Sequence, residues 1–247
     1  MIYLKSSDDI AKMRIAGAVV RDTLLLLEEK CKAGVTTLEL DRLAYDFITS
    51  RNATPSFLNY NGFPFSICAS LNDEVVHGFP DKRRLSEGDI ISIDVGAFAE
   101  GYHGDAARTF EIGKVSDEKK KLVEVTRECY FKGIAEFKEG NRLSDIGRTI
   151  QDYAESFGYG VVREMVGHGI GKKMHEDPEV PNYFNGRRGE RLRTGMALAI
   201  EPMINMGCAA IYIKENGWTV ATVDKMPSAH YENTTVLTEN GPEILTL

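Results

Sequence analysis

A chain of 247 residues, 43% of them hydrophobic, is long enough to bury a core in one large α/β domain or two small ones. Its formal net charge of −7 disfavours a general nucleic-acid binder, DNA included, although local basic clusters survive that average. The longest run of large apolar residues, at 24–27, makes neither a secretory segment nor a spanning helix, and Cys31, Cys68, Cys129 and Cys208 are too scattered for a disulfide framework or structural zinc site. A soluble, cytoplasmic protein with reduced thiols and no membrane partner is expected.

In chain order, Ser7-Asp8-Asp9 reads as an N-cap followed by acidic residues that suit the helix dipole. Ile10, Met13, Gly17, Val20, Leu24, Leu27 and Cys31 recur at three- and four-residue steps, an amphipathic helix ended by Gly34. A coiled coil is the other reading, but so short a seam is more often a helix packed on a core. A second helix, at about 38–51, carries Leu40, Leu43, Ala44, Phe47 and Ile48 on its apolar side. Phe57, Tyr60, Phe63, Phe65 and Ile67, interrupted by Asn61-Gly62 and Pro64, mark loops and a strand. Residues 68–77 predict a hairpin around Asn72-Asp73 with Val75, Val76 and His77 in its second arm, and Lys82, Arg83 and Arg84 lie in the exposed connection that follows.

Residues 90–110 organise the rest. Ile91, Ile93 and Val95 alternate with Ser92 and Asp94, a strand with one apolar face and one face bearing a carboxylate. Glu100-Gly101 supplies the turn, and the returning arm brings Asp105 back beside Asp94. Two like charges that close cost stability unless a cation sits between them.

The second half repeats the first. Ser116-Asp117-Glu118 opens a helix and Gly140 closes it; Leu40, Ala44 and Phe47 match Ile146, Ile150 and Tyr153 at an offset of 106, and LSEGDIISID, ending at Asp94, matches LRTGMALAIE, ending at Glu201, at 107. This predicts an α+β fold in a single domain, 1–247: two pseudo-symmetric halves, about 8–112 and 117–238, share an antiparallel sheet and meet at a carboxylate-lined seam. His168 stands among glycines in Gly167-His168-Gly169-Ile170-Gly171, His175 follows, Glu201 precedes Pro202, and Glu232 is to Glu201 as Asp105 is to Asp94. Singly, each has a plain structural reading. Together, Asp94, Asp105, Glu201 and Glu232 carry four negative charges that one neutral imidazole and two divalent cations about 3.5–4 Å apart would satisfy.

NDEVVHGFP, IDVGAFAEGYHGDAARTF, GHGIGKKMHEDP, AIEPM and SAHYENTTVLT resemble, in order and spacing, the motifs of the type I methionine aminopeptidases, and the likeness covers nearly the whole chain. It implies the pita-bread fold with helices on the outer face of the sheet. It also implies that Asp94, Asp105, His168, Glu201 and Glu232 bind two metal ions (cobalt, manganese, iron or zinc), with Asp105 and Glu232 bridging, and that His77 and His175 line the substrate site as catalytic groups beside Glu201. The expected reaction is hydrolysis of the first peptide bond of nascent chains that begin with methionine and carry a small second residue. Tyr60, Phe63, Cys68 and Trp218 fall where that family holds the methionine side chain, though an aromatic cluster reads equally well as core. The chain departs from many bacterial members in having Phe57 for a cysteine, Phe63 for a tyrosine and Met174 for a phenylalanine.

Two rivals stay open, a proline-specific aminopeptidase of the same fold and a non-catalytic binding module. The first would usually carry a whole N-terminal domain before the catalytic one; the second would be favoured by loss of a ligand, and none of the five is missing. A type II enzyme would carry an insertion between the second histidine and the next glutamate, whereas Glu201 follows His175 by only 26 positions. A monomer is expected. Lys82, Arg83, Arg84, Arg187 and Arg188 form basic loops at equivalent places in the two halves, read either as a transient ribosome contact or as solvated charge.

Overall fold

The computed structural model describes residues 1–247. Helix α1 (Ser7–Lys30) and helix α2 (Thr37–Ser50) each start in a capping box, Ser6 with Asp9 and Thr36 with Glu39, so the first cap is Ser6 rather than Ser7. Strands β1 (Thr54–Pro55), β2 (Ile67–Leu71), β3 (Glu74–Val76), β4 (Ile90–Ala99) and β5 (Tyr102–Glu111) follow. The second half opens with α3 (Asp117–Ile134) and α4 (Leu143–Glu155). It continues with β6 (Gly160–Val161), β7 (Gly167–Gly169), β8 (Glu176–Val180), β9 (Ala197–Ile200), β10 (Met203–Asn205), β11 (Ile211–Ile213), β12 (Val220–Thr222), β13 (Ser228–His230), β14 (Asn233–Thr238) and β15 (Gly241–Ile244).

Strands β4 and β5 form the long hairpin that the alternation predicts, closed by Glu100 (φ 53°) and Gly101 (φ 83°), the two positive φ values a two-residue turn of the right twist needs. Its register corrects one expectation. Asp94 faces Ala107 and Asp105 faces Gly96, so the two carboxylates are diagonal neighbours rather than a directly opposed pair. The offset is two residues, an even step, and both therefore point to the same face. The odd residues Ile91, Ile93 and Val95 turn the other way, into a core with Val20, Leu24 and Leu27 of α1 and Leu40, Ala44 and Ile48 of α2. In the second half Leu198 and Ile200 of β9 pack likewise against Leu122, Val125 and Cys129 of α3 and Ile146 and Ile150 of α4. Each pair of helices thus covers the outer face of its half of the sheet and leaves the inner face for polar groups.

Individual backbone bonds recur at offsets of 106 and 107. Gly34 donates its N–H to Leu85 O at 2.7 Å and Gly140 donates to Leu192 O at 3.0 Å; the backbone bridge of Thr36 with Arg84 recurs as that of Arg142 with Arg191. They join edge to edge between β5 and the start of β14. Ala107 and Glu232 exchange backbone hydrogen bonds (3.3 and 3.0 Å), and the Thr234 hydroxyl accepts from the Asp105 N–H and donates to the Asp105 carbonyl. The Arg108 guanidinium fastens this seam, donating to the carbonyls of Ala107 and Glu232 and to Asn233 Oδ1 while lying 4.3 Å over the Tyr231 ring.

The hairpin expected at residues 68–77 is divided between two sheets. β2 pairs with β4 while β3 pairs with β12 across the molecule, and the Ala69 N–H to Gly78 O and Gly78 N–H to Ser70 Oγ bonds still tie the arms. Pro202 interrupts the ladder as its missing N–H requires, yet the register is kept: Ile200 faces Asn233 before the break and Met203 faces His230 after it. Glu201 and Glu232 sit opposite each other in that gap. No helix is long and apolar enough to cross a membrane.

Candidate metal centre and substrate cavity

Reading across the joined strands places the site. One row runs Cys68, Asp94, Ala107, Glu232, Glu201, and the next runs Gly96, Asp105, Thr234, Ala199, His168. Directly opposed residues share a face and rows two residues apart share it too, so all five residues expected to bind metal project from one face. Of the positions between them, Ala107, Gly96 and Ala199 are small, and Thr234 turns its hydroxyl onto the Asp105 backbone. The glycines around His168 have a measurable reason. A Cβ on Gly167 would lie 2.3 Å from the Ala199 carbonyl, and one on Gly169 would lie 2.1 Å from the Asp177 carbonyl, so β7 fits between β8 and β9 only without side chains there.

His168 Nε2 lies 3.6 Å from Asp105 Oδ2 and 3.7 Å from Glu201 Oε1, while its Nδ1 is 2.9 Å from the Gly169 carbonyl. A carbonyl only accepts, so Nδ1 carries the proton and Nε2 is left bare toward the carboxylates. Burial pulls the imidazole down to about 4, which keeps it neutral. Burial pushes the carboxyls the other way: Asp105 up to about 7, and Asp94, Glu201 and Glu232 well above the usual range, with mutual repulsion adding to the last three.

These carboxylates fit a cation and are ill served without one. Asp94 Oδ1, Asp105 Oδ1 and Glu232 Oε1 are buried with no hydrogen-bond partner, and histidines are the only bases within salt-bridge distance of the four acids. Two groups of donor atoms lie within 4.8 Å of one another, Asp105–His168–Glu232 and Asp94–His230–Glu232, with Glu232 common to both. His230 was not singled out in the sequence. The signal was present, since it stands two residues before Glu232 on an alternating strand and so shares its face.

A cavity of about 290 Å³ opens on this cluster. The five ligand candidates line it together with His77, His175, Tyr60, Phe63, Cys68 and Trp218, so the structure brings every residue expected from the sequence to one place. Phe57 and Met174 complete the apolar wall, and Asn61, Met165 and Val166, which the sequence did not mark, also reach it. Phe63 sits edge-on to Trp218 (5.2 Å) and Phe79 (5.4 Å), which fixes the slot's shape. Burial beside Asp94 pushes the Cys68 thiol far up, so it stays protonated as a neutral part of the wall. His77 occupies the left-handed region (φ 58°), uncommon outside glycine, and burial and His175 hold it neutral at about 4. His175 lies exposed at the rim, its ring 4.1 Å from that of His168 and its Nδ1 sharing a 2.9 Å hydrogen bond with the Tyr60 hydroxyl.

Residues 11–239 match the model of metallopeptidase family M24. The chain is 58% identical to the methionine aminopeptidase of Clostridium acetobutylicum over 100% of its own length and 99% of that protein. It is 50% identical to methionine aminopeptidase 1 of Bacillus subtilis, with the same coverage. The crystal structure of methionine aminopeptidase from Rickettsia prowazekii superposes with a TM-score of 0.98 at 44% identity, covering 100% of both chains. Four acids, Asp105 and Glu232 buried and Asp94 and Glu201 partly so, and a bare imidazole on one face of the joined strands accord with that kinship: the chain belongs to metallopeptidase family M24, within its methionine aminopeptidase branch and with the pita-bread fold.

Proposed function

We propose that this hydrolase removes the N-terminal methionine from nascent proteins, preferring a small second residue. The observation that carries the reading is the junction of an apolar, aromatic slot with a cluster of buried carboxylates whose oxygens lack partners. Asp94, Asp105, His168, Glu201 and Glu232 would hold two divalent cations, with Asp105 and Glu232 as the bridging pair, and Glu232's place in both donor groups supports its part in that. Such an oxygen-rich set with imidazole accepts manganese, iron, cobalt or zinc. When bound, the cations supply a nucleophilic water at neutral pH and polarise the scissile carbonyl.

The chain's own groups do the rest. Tyr60, Phe63, Cys68 and Trp218, with Phe57 and Met174, surround the methionine side chain, whose thioether gains from the aromatic edges. Glu201, whose carboxyl burial and then Asp105 and Asp94 raise well above the usual range, would take a proton from the attacking water and pass it toward the leaving amine. His175 and His77, facing the cavity from two sides, donate hydrogen bonds to the developing oxyanion and the departing amine. With apoprotein reloaded anaerobically, Met-Ala-Ser should be cleaved in strong preference to Ala-Ala-Ser and to Met-Pro peptides. His175→Ala should retain its metal while kcat falls at least about 100-fold. Preferential cleavage of Met-Pro peptides would move the assignment to the proline-specific enzymes of this fold, and no turnover of any peptide would leave a binding module.

A cytoplasmic monomer that meets new chains at the ribosome is part of this proposal. Lys82, Arg84, Arg187 and Arg188 are exposed, but Arg83 is committed to Glu74 (2.8 Å) and Asp81 (2.7 Å), and Glu74 is buried. The docking set is therefore the four cations outside ion pairs, with Arg83 left out because it is one of two cations, with Lys214 at 2.8 Å, that neutralise buried Glu74. Reversing those four to Glu should weaken salt-sensitive co-sedimentation with ribosomes and leave tripeptide hydrolysis intact. Unaltered co-sedimentation at the same salt concentration would return the loops to solvated charge.

A further inference from the structure

A third row of the sheet lies on the far side of the carboxylates from His168: Ser70, Ser92, Thr109, His230, Met203. It is two residues from the Asp94–Glu232–Glu201 row and therefore on the same face. The position of His230 is fixed by its backbone, whose N–H donates to Thr109 Oγ1 and whose carbonyl accepts from the same hydroxyl, both at 2.9 Å. Its Nε2 lies 3.7 Å from Glu232 Oε2 and 3.9 Å from Glu201 Oε2, buried and without a hydrogen-bond partner. The two oxygens of Glu201 thus face different imidazoles, Oε1 toward His168 and Oε2 toward His230.

The geometry points to His230 as a second nitrogen donor of the metal centre, a ligand through Nε2 to the cation shared by Asp94 and Glu232. The inference rests on the two-cation reading and extends its ligand set from five residues to six. Several features favour a ligand over a structural histidine. A structural histidine buried this deeply is expected to spend both ring nitrogens on hydrogen bonds, whereas here Nε2 is aimed at two acids with none. A substrate contact is also disfavoured, because His230 is 1% exposed and lies outside the lining of the cavity. A buried ring nitrogen without a hydrogen-bond partner, within reach of two carboxylates, is what a divalent cation takes in addition to oxygen ligands. Each cation would then have one imidazole, His168 or His230, with Glu232 between them.

The test is anaerobic titration of the full-length apoprotein with Co(II), followed by calorimetry and by visible absorption, which responds to the donor set. Wild-type protein should take two equivalents. His230→Gln should bind one of them as before and the other at least about 10-fold more weakly, with an altered spectrum for that equivalent only. His230→Ala is titrated in parallel, with thermal unfolding of both, so that a folding defect in one variant does not decide the outcome. Two equivalents with unchanged affinity and spectrum in a folded His230 variant would overturn the assignment while leaving the two-cation reading intact. Uptake of a single equivalent by the wild type would overturn both.

Discussion

Glu232→Gln is expected to lose most of its bound metal and nearly all of its activity, and Asp105→Asn to do the same. Both side chains are almost fully buried, at 1% and 3% exposure, and each presents an oxygen with no protein partner. An amide keeps the size but offers one neutral oxygen and an N–H₂ group, so it cannot give anionic oxygens to two cations. The effect should exceed that of His175→Ala, since it removes the site's chemistry at its base rather than one hydrogen bond to the reacting atoms. Elemental analysis after exhaustive dialysis is the decisive measurement. Two equivalents of tightly held metal in either variant would rule out a bridging role for that residue.

Removing the metal should make stability depend on pH in a specific direction. In the apoprotein Asp94, Glu201 and Glu232 titrate well above the normal carboxylate range and Asp105 near 7, all raised chiefly by burial. A carboxyl raised on folding imposes no penalty below the unfolded pKa of about 4 and a growing one as pH rises toward the folded value. The apoprotein should therefore weaken between about pH 4 and 7 and beyond. At about 1.4 kcal/mol per pH unit of displacement, Asp105 alone makes this an effect of several kcal/mol. Divalent cations bind the deprotonated acids, so loaded protein escapes the penalty and binds more tightly as pH rises. The neutral histidines His168 and His230, lowered by burial to about 4 and 3, add the opposite slope, a loss of stability as pH falls below about 6.5, in the apoprotein. The histidine slope opposes that of the four acids and is outweighed by it, so the gain in Tm on loading should widen from pH 5 to pH 8. At roughly 2–4 °C per kcal/mol for a chain of this size, the widening should be several degrees. Parallel melting curves across that range would show that the acids are not held in a strained, cation-seeking state.

The sequence by itself determined the parts whose cause is local. Apolar spacing of three and four residues placed α1 and α2, with the α1 cap at Ser6, one residue before the expected Ser7, and the Ile91–Ile93–Val95 alternation with a two-residue turn placed the β4–β5 hairpin and the side on which Asp94 lies. The repeated acids at Asp94 and Glu201, and His168 among glycines, were legible for the same reason: their faces follow from chain periodicity, and no distant partner is needed to assign them. Tertiary structure decided what depends on registers between segments far apart in the chain. It set Asp105 diagonal to Asp94, gave β3 to β12 instead of to β2, and locked Ala107 to Glu232 across the seam, which aligns the carboxylates of both halves. It also spent Arg83 on buried Glu74 and brought His230 beneath the acids. Strand alternation states which way a side chain points, but only the packing of two separately built halves states what it points at.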